Sequence, residues 1–155
     1  MTDFLAVVPT LMNGASPLPN VVTGGQPTAA ELAALATAGV KTVLDLRLPN
    51  EPRGFDEPSA VEAAGMQYVP VPVQGMVPDE SFAAARRVLQ QAGTAPVLFH
   101  CASANRVGAL LLPHLMLDHG LDQAAALAVA QRVGLRDGML AQLALTYVAG
   151  QRAAG

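Results

Sequence analysis

Apolar positions along the chain fall into two patterns that alternate. Short runs rich in β-branched residues, Val21–Thr23, Val40–Arg47, "MQYVPVPV" at 66–73 and "PVLFH" at 96–100, have the length of strands and lead into polar turns. Between and after them come longer segments with helix-start and helix-stop signals. Thr28 and Glu31 of "TAAE" form a capping box that opens a helix through Ala38, and Gly39 ends it. A short helix at 58–64 is stopped by Gly65. Asp79, followed by acids in a first turn and by Gly93 at the far end, is the expected N-cap of a helix over 79–92. An apolar helix follows the polar loop 101–105 and runs to Asp118, with a kink expected at Pro113 because proline cannot donate a helix hydrogen bond. Helices over 122–133 and 137–149 close the chain.

The resulting order, β-α-β-α-β-α-β-α-α-α, carries no hairpin signal and predicts a three-layer α/β/α fold around a central, mainly parallel four-stranded sheet. Pro70 and Pro72 remove backbone donors, so the third strand is expected at an edge or to end early. At 155 residues, without a linker or internal repeat, the chain reads as a single domain with its core over about 20–150. Ligands gather at the carboxyl ends of the strands in such sheets. The loop 101–106 and the segments after Arg47 and Val73 fall at that edge.

Composition narrows the function classes. Apolar residues make up 52% of the chain and charged residues 14%, as in a well-packed globular protein. The net charge is −3 and the nine basic residues are scattered apart from Arg86–Arg87, which argues against a nucleic-acid partner. The most apolar late stretch, "ALLLPHLML", is too short for a membrane span, and the N-terminus lacks the basic region of a signal peptide. With one cysteine, no internal disulfide can form, and a cytoplasmic location is expected. His114 and His119 show no carboxylate partner at ligand spacing, so no metal site is expected, and no cofactor motif is present.

That single cysteine lies in "FHCASANRVG". A strand running through a small-residue loop into a helix presents several backbone N–H groups and the positive helix end to one point, which suits an anion. The same field lowers a thiol at its base from about 8.5 toward the activated range of about 3.5–7.5. Arg106 adds a planar, permanently charged fork able to clasp a phosphate. Cys101 is thus a candidate nucleophile aimed at an oxyanion. His100 is expected to orient the loop, while Ser103 and Asn105 either donate to the anion or satisfy loop backbone.

These residues resemble the cysteine-dependent phosphatases, and most closely the bacterial beta-lactamase hydrolase-like or protein tyrosine phosphatase-like family. "GGQPT" at 24–28, "GVKTVLDLR" at 39–47 and "HCASANRVGAL" at 100–110 carry the resemblance, which extends from about Asn20 to Leu135. It implies two-step hydrolysis of a phosphorylated small molecule or protein. Cys101 attacks phosphorus, Arg106 and the N–H groups of Ala102, Ser103, Ala104, Asn105 and Arg106 hold the equatorial oxygens, and water then releases phosphate.

Relatives place the acid that protonates the leaving oxygen on the loop after the third strand, where Asp79 is the candidate and Asp56 the second choice. Asp45, at a strand end, is expected to support the site or to make a salt bridge. The Cys-x4-Arg spacing is shared with rhodanese sulfurtransferases. Ala104 stands where relatives commonly carry glycine, and positive φ there costs alanine roughly 1–2 kcal/mol. Sulfur transfer and a silent oxyanion-binding domain are therefore the alternative readings.

Overall fold

The computed structural model describes residues 2–155. Its elements in order are α1 (Phe4–Val7), β1 (Ala15–Leu18), β2 (Val21–Gly24), α2 (Ala29–Ala38), β3 (Thr42–Asp45), α3 (Glu57–Ala63), β4 (Gln67–Pro70), α4 (Asp79–Ala92), β5 (Val97–His100), α5 (Asn105–Leu117), α6 (Gln123–Val133) and α7 (Gly138–Ala154). The strands form one sheet in the order β1-β2-β5-β3-β4. All neighbours are parallel except β1 and β2. The three-layer α/β/α architecture is as expected, but the sheet has five strands, not four. The additional strand, "ASPL", is short, half-exposed and interrupted by Pro17, so it lacks a β-branched run; an edge position tolerates that proline. Its hairpin turn is Pro19–Asn20.

β4, with Pro70 at its end, occupies the opposite edge. Strand side chains alternate between two cores. Val21, Leu44, Val97 and Phe99 pack beneath α4, α5, α6 and α7, whereas Val22, Val43 and Leu98 pack against α1, α2 and α3. α5 is the buried axis of the first core, with every residue from Val107 to Met116 buried, and it runs on through Pro113.

Two helix starts bear on the site. The capping box of Thr28 and Glu31 is present, and Gly39 closes α2 in the left-handed conformation at φ 115°. α4 departs from expectation: Pro78 is its N-cap and Asp79 its first helical residue, with no side-chain cap. Proline already fixes φ for entry into the helix, so the chain turns one residue earlier than the aspartate signal suggests. Among the described residues, no helix is long and apolar enough to cross a membrane.

Candidate active site

β5 lies at the centre of the sheet and delivers His100 and Cys101 to its carboxyl edge. Cys101 is buried, and its N–H donates to the Gly24 carbonyl at 3.3 Å. The "GGQP" turn after β2 clasps the loop from one side. Gln26 N–H donates to Ala102 O at 3.0 Å, and a Cβ on Gly25 would lie 2.5 Å from that same oxygen, so only glycine allows the approach. Asn13 Nδ2 donates to Ser103 O at 2.9 Å from the other side.

Ala104 takes the left-handed conformation, φ 75° and ψ −2°, as the N-cap of α5. That turn aims its N–H at Cys101 Sγ, 3.1 Å away. The loop is therefore formed with alanine in the glycine position. Its methyl group is accommodated by Gly134, where a Cβ would lie 3.0 Å from that of Ala104.

Arg106 stands on the first turn of α5. Its Nη1 and Nη2 donate to Glu51 Oε2 and Oε1, both at 2.9 Å, and Nη1 also donates to Val73 O at 3.2 Å. Glu51 accepts two more bonds, from Leu48 N–H at 2.6 Å and Arg47 Nε at 3.0 Å. The Arg106 fork, outweighing burial and aided by Leu48 and Arg47, lowers the Glu51 carboxyl to about 2. Glu51 in turn holds Arg106 more firmly charged, with Cys101 contributing.

Behind the loop lies a buried polar cluster. His100 Nδ1 faces Cys101 O at 3.2 Å and its Nε2 faces Glu57 Oε2 at 2.5 Å. Glu57 Oε1 accepts from Gln26 Nε2 at 2.7 Å and lies 3.2 Å from Arg53 Nε, off the line of a hydrogen bond. Arg53 Nη2 and the Tyr68 hydroxyl donate to Asp45 Oδ2 at 2.8 and 2.6 Å, and Arg47 N–H donates to Asp45 Oδ1 at 2.8 Å. Burial and then the Asp45 carboxylate push the Tyr68 hydroxyl far above its usual range. Asp45 thus combines support of the site with a salt bridge.

A carbonyl only accepts, so His100 carries a proton on Nδ1, and the contact to Glu57 requires a second proton between the two groups. With that proton the cluster of Asp45, Arg53, Glu57 and His100 is neutral overall. Asp45, Glu57 and His100 offer ligand atoms within 4.8 Å of one another, the spacing of a metal site. The Arg53 guanidinium already spans the two carboxylates as their cation.

A cleft of about 310 Å³ opens beside Arg106, lined by Leu48, Glu51, Val73, Gln74, Asn105 and Asp137 among others. Neither aspartate proposed from sequence lines it. Asp79 is exposed at the start of α4, and Asp56 is exposed as the N-cap of α3, accepting from Ser59 N–H. Asn105 serves the backbone: its Oδ1 accepts from Arg136 and Asp137 N–H at 2.8 and 3.3 Å. Ser103 Oγ accepts from Arg136 Nη2 at 3.4 Å. His114 does have a carboxylate partner, Asp118 one helical turn on at 2.9 Å. Histidine and aspartate four residues apart at the end of one helix are the sequence signal of this pair, which metal-ligand spacing does not detect.

A cysteine at the sheet's central carboxyl edge, a left-handed turn aiming an N–H at its sulfur and a braced arginine on the following helix define a tyrosine- and dual-specificity-type phosphatase domain. The chain belongs to the family described as DSP-PTPase phosphatase fused to NAD+ kinase, whose family model matches residues 13–146.

It is 33% identical over 86 residues to the beta-lactamase hydrolase-like protein of Agrobacterium fabrum; the match covers 53% of this chain and 20% of that protein's length. It superposes on a DUF442 protein of Shewanella putrefaciens CN-32 with a TM-score of 0.78 at 25% identity, covering 95% and 97% of the two chains. Against TpbA of P. aeruginosa the TM-score is 0.69 at 27% identity, covering 90% and 84%. A cysteine-to-serine form of TpbA has been captured with phosphotyrosine.

Proposed function

We propose that this chain is a phosphomonoester hydrolase that works through a thiophosphoryl intermediate on Cys101, and that residues 1–155 act as one catalytic domain. The observation that carries the reading is the Ala104 N–H directed at Cys101 Sγ at 3.1 Å, with Arg106 braced by Glu51 on the adjoining turn. The thiolate is the nucleophilic form of cysteine. The Cys101 thiolate attacks phosphorus while the loop N–H groups and Arg106 neutralise the equatorial oxygens. Water then cleaves the sulfur–phosphorus bond and regenerates the thiolate. The substrate is a phosphorylated small molecule or protein; the phosphotyrosine bound by TpbA supports that class.

The test is hydrolysis of p-nitrophenyl phosphate across pH 5–8 by wild type and Cys101→Ser, with mass spectrometry of acid-quenched enzyme. Activity that vanishes in the variant, with a phosphoryl adduct on the Cys101 peptide of wild type, is expected. A persulfide on Cys101 after thiosulfate, without phosphatase activity, overturns the reading in favour of sulfur transfer.

A further inference from the structure

We infer that Asp137 is the acid that protonates the leaving oxygen, a role that rests on the phosphatase reading above. Only two carboxylates line the cleft beside Arg106 among the described residues, Glu51 and Asp137. Glu51 has all four lone-pair directions occupied by Arg47, Leu48 and the two arms of Arg106, and it stays ionised far below neutral pH. It has no proton to give. The loop after β4 contributes Gln74, Gly75 and Val77 to the cleft and no carboxylate.

Asp137 is exposed and a helix N-cap like Asp56, but it lines the cleft beside Arg106 and is fixed in place from two directions. Asn105, the neighbour of Arg106, accepts its backbone N–H at 3.3 Å, which pins the turn before α7 to the first turn of α5. As N-cap of α7, its Oδ1 accepts from Met139 and Leu140 N–H at 2.8 and 3.3 Å. Oδ2 takes no hydrogen bond and no cation partner among the described residues, so one oxygen positions the group while the other is left unengaged.

Sulfur of the Cys101 thiolate bonds to phosphorus, the bond from phosphorus to the leaving oxygen breaks, and that oxygen takes the proton from Asp137 Oδ2 and departs as an alcohol. The resulting Asp137 carboxylate accepts a proton from the water that attacks the thiophosphoryl phosphorus. Phosphate leaves, and both the thiolate and the acid are restored.

The experiment compares kcat/KM for phenyl phosphate, a poor leaving group, and p-nitrophenyl phosphate, a good one. The enzymes are wild type, Asp137→Asn, Asp137→Ser, Asp79→Asn and Cys101→Ser. Asparagine and serine both retain the helix cap, so folding is preserved, and thermal melting verifies it. Both Asp137 variants are expected to lose on the order of 10²-fold on phenyl phosphate and much less on p-nitrophenyl phosphate. Equal losses on the two esters, or the leaving-group pattern appearing in Asp79→Asn instead, overturns the assignment. Failure of the phosphatase reading looks different: wild type then exceeds Cys101→Ser on neither ester, and the assignment falls with it.

Discussion

Arg106 and Glu51 meet fork to fork, with both arms of the guanidinium on both oxygens of the carboxylate at 2.9 Å. The pair joins the first turn of α5 to the long polar loop after β3. It fixes one edge of Arg106 and leaves Nε free of Glu51, so the carboxylate acts as a brace that aims the guanidinium. Glutamine at position 51 can accept from only one arm and turns an N–H₂ toward the other. Glu51→Gln is therefore expected to lower kcat/KM for p-nitrophenyl phosphate by roughly 10- to 100-fold, the scale of a small misplacement of a positioning group. A change below twofold in steady-state assays sinks the brace.

Ala104 is held at φ 75°, where its Cβ crowds the backbone. Replacing it with glycine removes a penalty of about 1 kcal/mol and keeps the N–H aimed at Cys101 Sγ. Ala104→Gly is expected to raise the melting temperature by roughly 2–4 °C. Calorimetry that finds a lower value would show that the Ala104 methyl packed against Gly134 outweighs the strain.

The loop that holds Cys101 is legible in the sequence because its signal is local: one cysteine, an arginine five residues on, and a polar stretch between two apolar elements. Its partners are not. Glu51 and Glu57 reach Arg106 and His100 across 55 and 43 residues of sequence, from the loop after β3 and the first residue of α3, a stretch whose polar composition reads as ordinary surface. Arg53 within that loop is buried against Asp45, which only the folded arrangement makes sensible. An acid is hard to read from sequence because aspartate signals a helix start equally well, and the fold leaves Asp79 exposed at the start of α4, outside the lining of the cleft beside Arg106. Asp137 carries the same cap signal ahead of α7, and only the folded chain brings it to the cleft.

His114 sits on α5 among Asp118 and His119 from the end of that helix and Arg86 from α4. Burial lowers its pKa, with His119 and Arg86 adding to the effect and Asp118 opposing it. The folded protein thus binds this proton less readily than the unfolded chain, whose imidazole titrates near about 6.5. Stability is full above that value and declines as pH falls through it toward the folded value. The Asp118 carboxyl, lowered to about 2 chiefly by Arg86 and His114 against its burial, behaves as a separate case. Its contribution is present above the ordinary carboxylate range and is lost only as pH falls toward about 2. Urea midpoints are expected to drop between pH 7.5 and 5.5, and His114→Gln is expected to flatten that drop. An unchanged slope in the variant would assign it elsewhere.

Glu57 offers the sharpest test of the buried cluster. Its carboxylate faces His100 Nε2 at 2.5 Å, accepts from Gln26 and lies beside Arg53, all out of water. Alanine takes the partner from the buried His100 imidazole and one of the two carboxylates from beside Arg53, which keeps Asp45, at a cost on the order of 3–5 kcal/mol. Glutamine behaves differently because of the proton count. With Nδ1–H committed to Cys101 O, a neutral His100 presents a lone pair at Nε2, and a glutamine N–H₂ can donate to it. The Asp45–Arg53 pair then remains balanced, so the cluster stays neutral with one carboxylate and one proton fewer. Glu57→Ala is expected to lower the melting temperature by roughly 10 °C, and Glu57→Gln by less than half of that. Equal losses in the two variants would mean that His100 needs the charge of Glu57 and not merely a hydrogen-bond partner, and the shared proton would then belong to the imidazole.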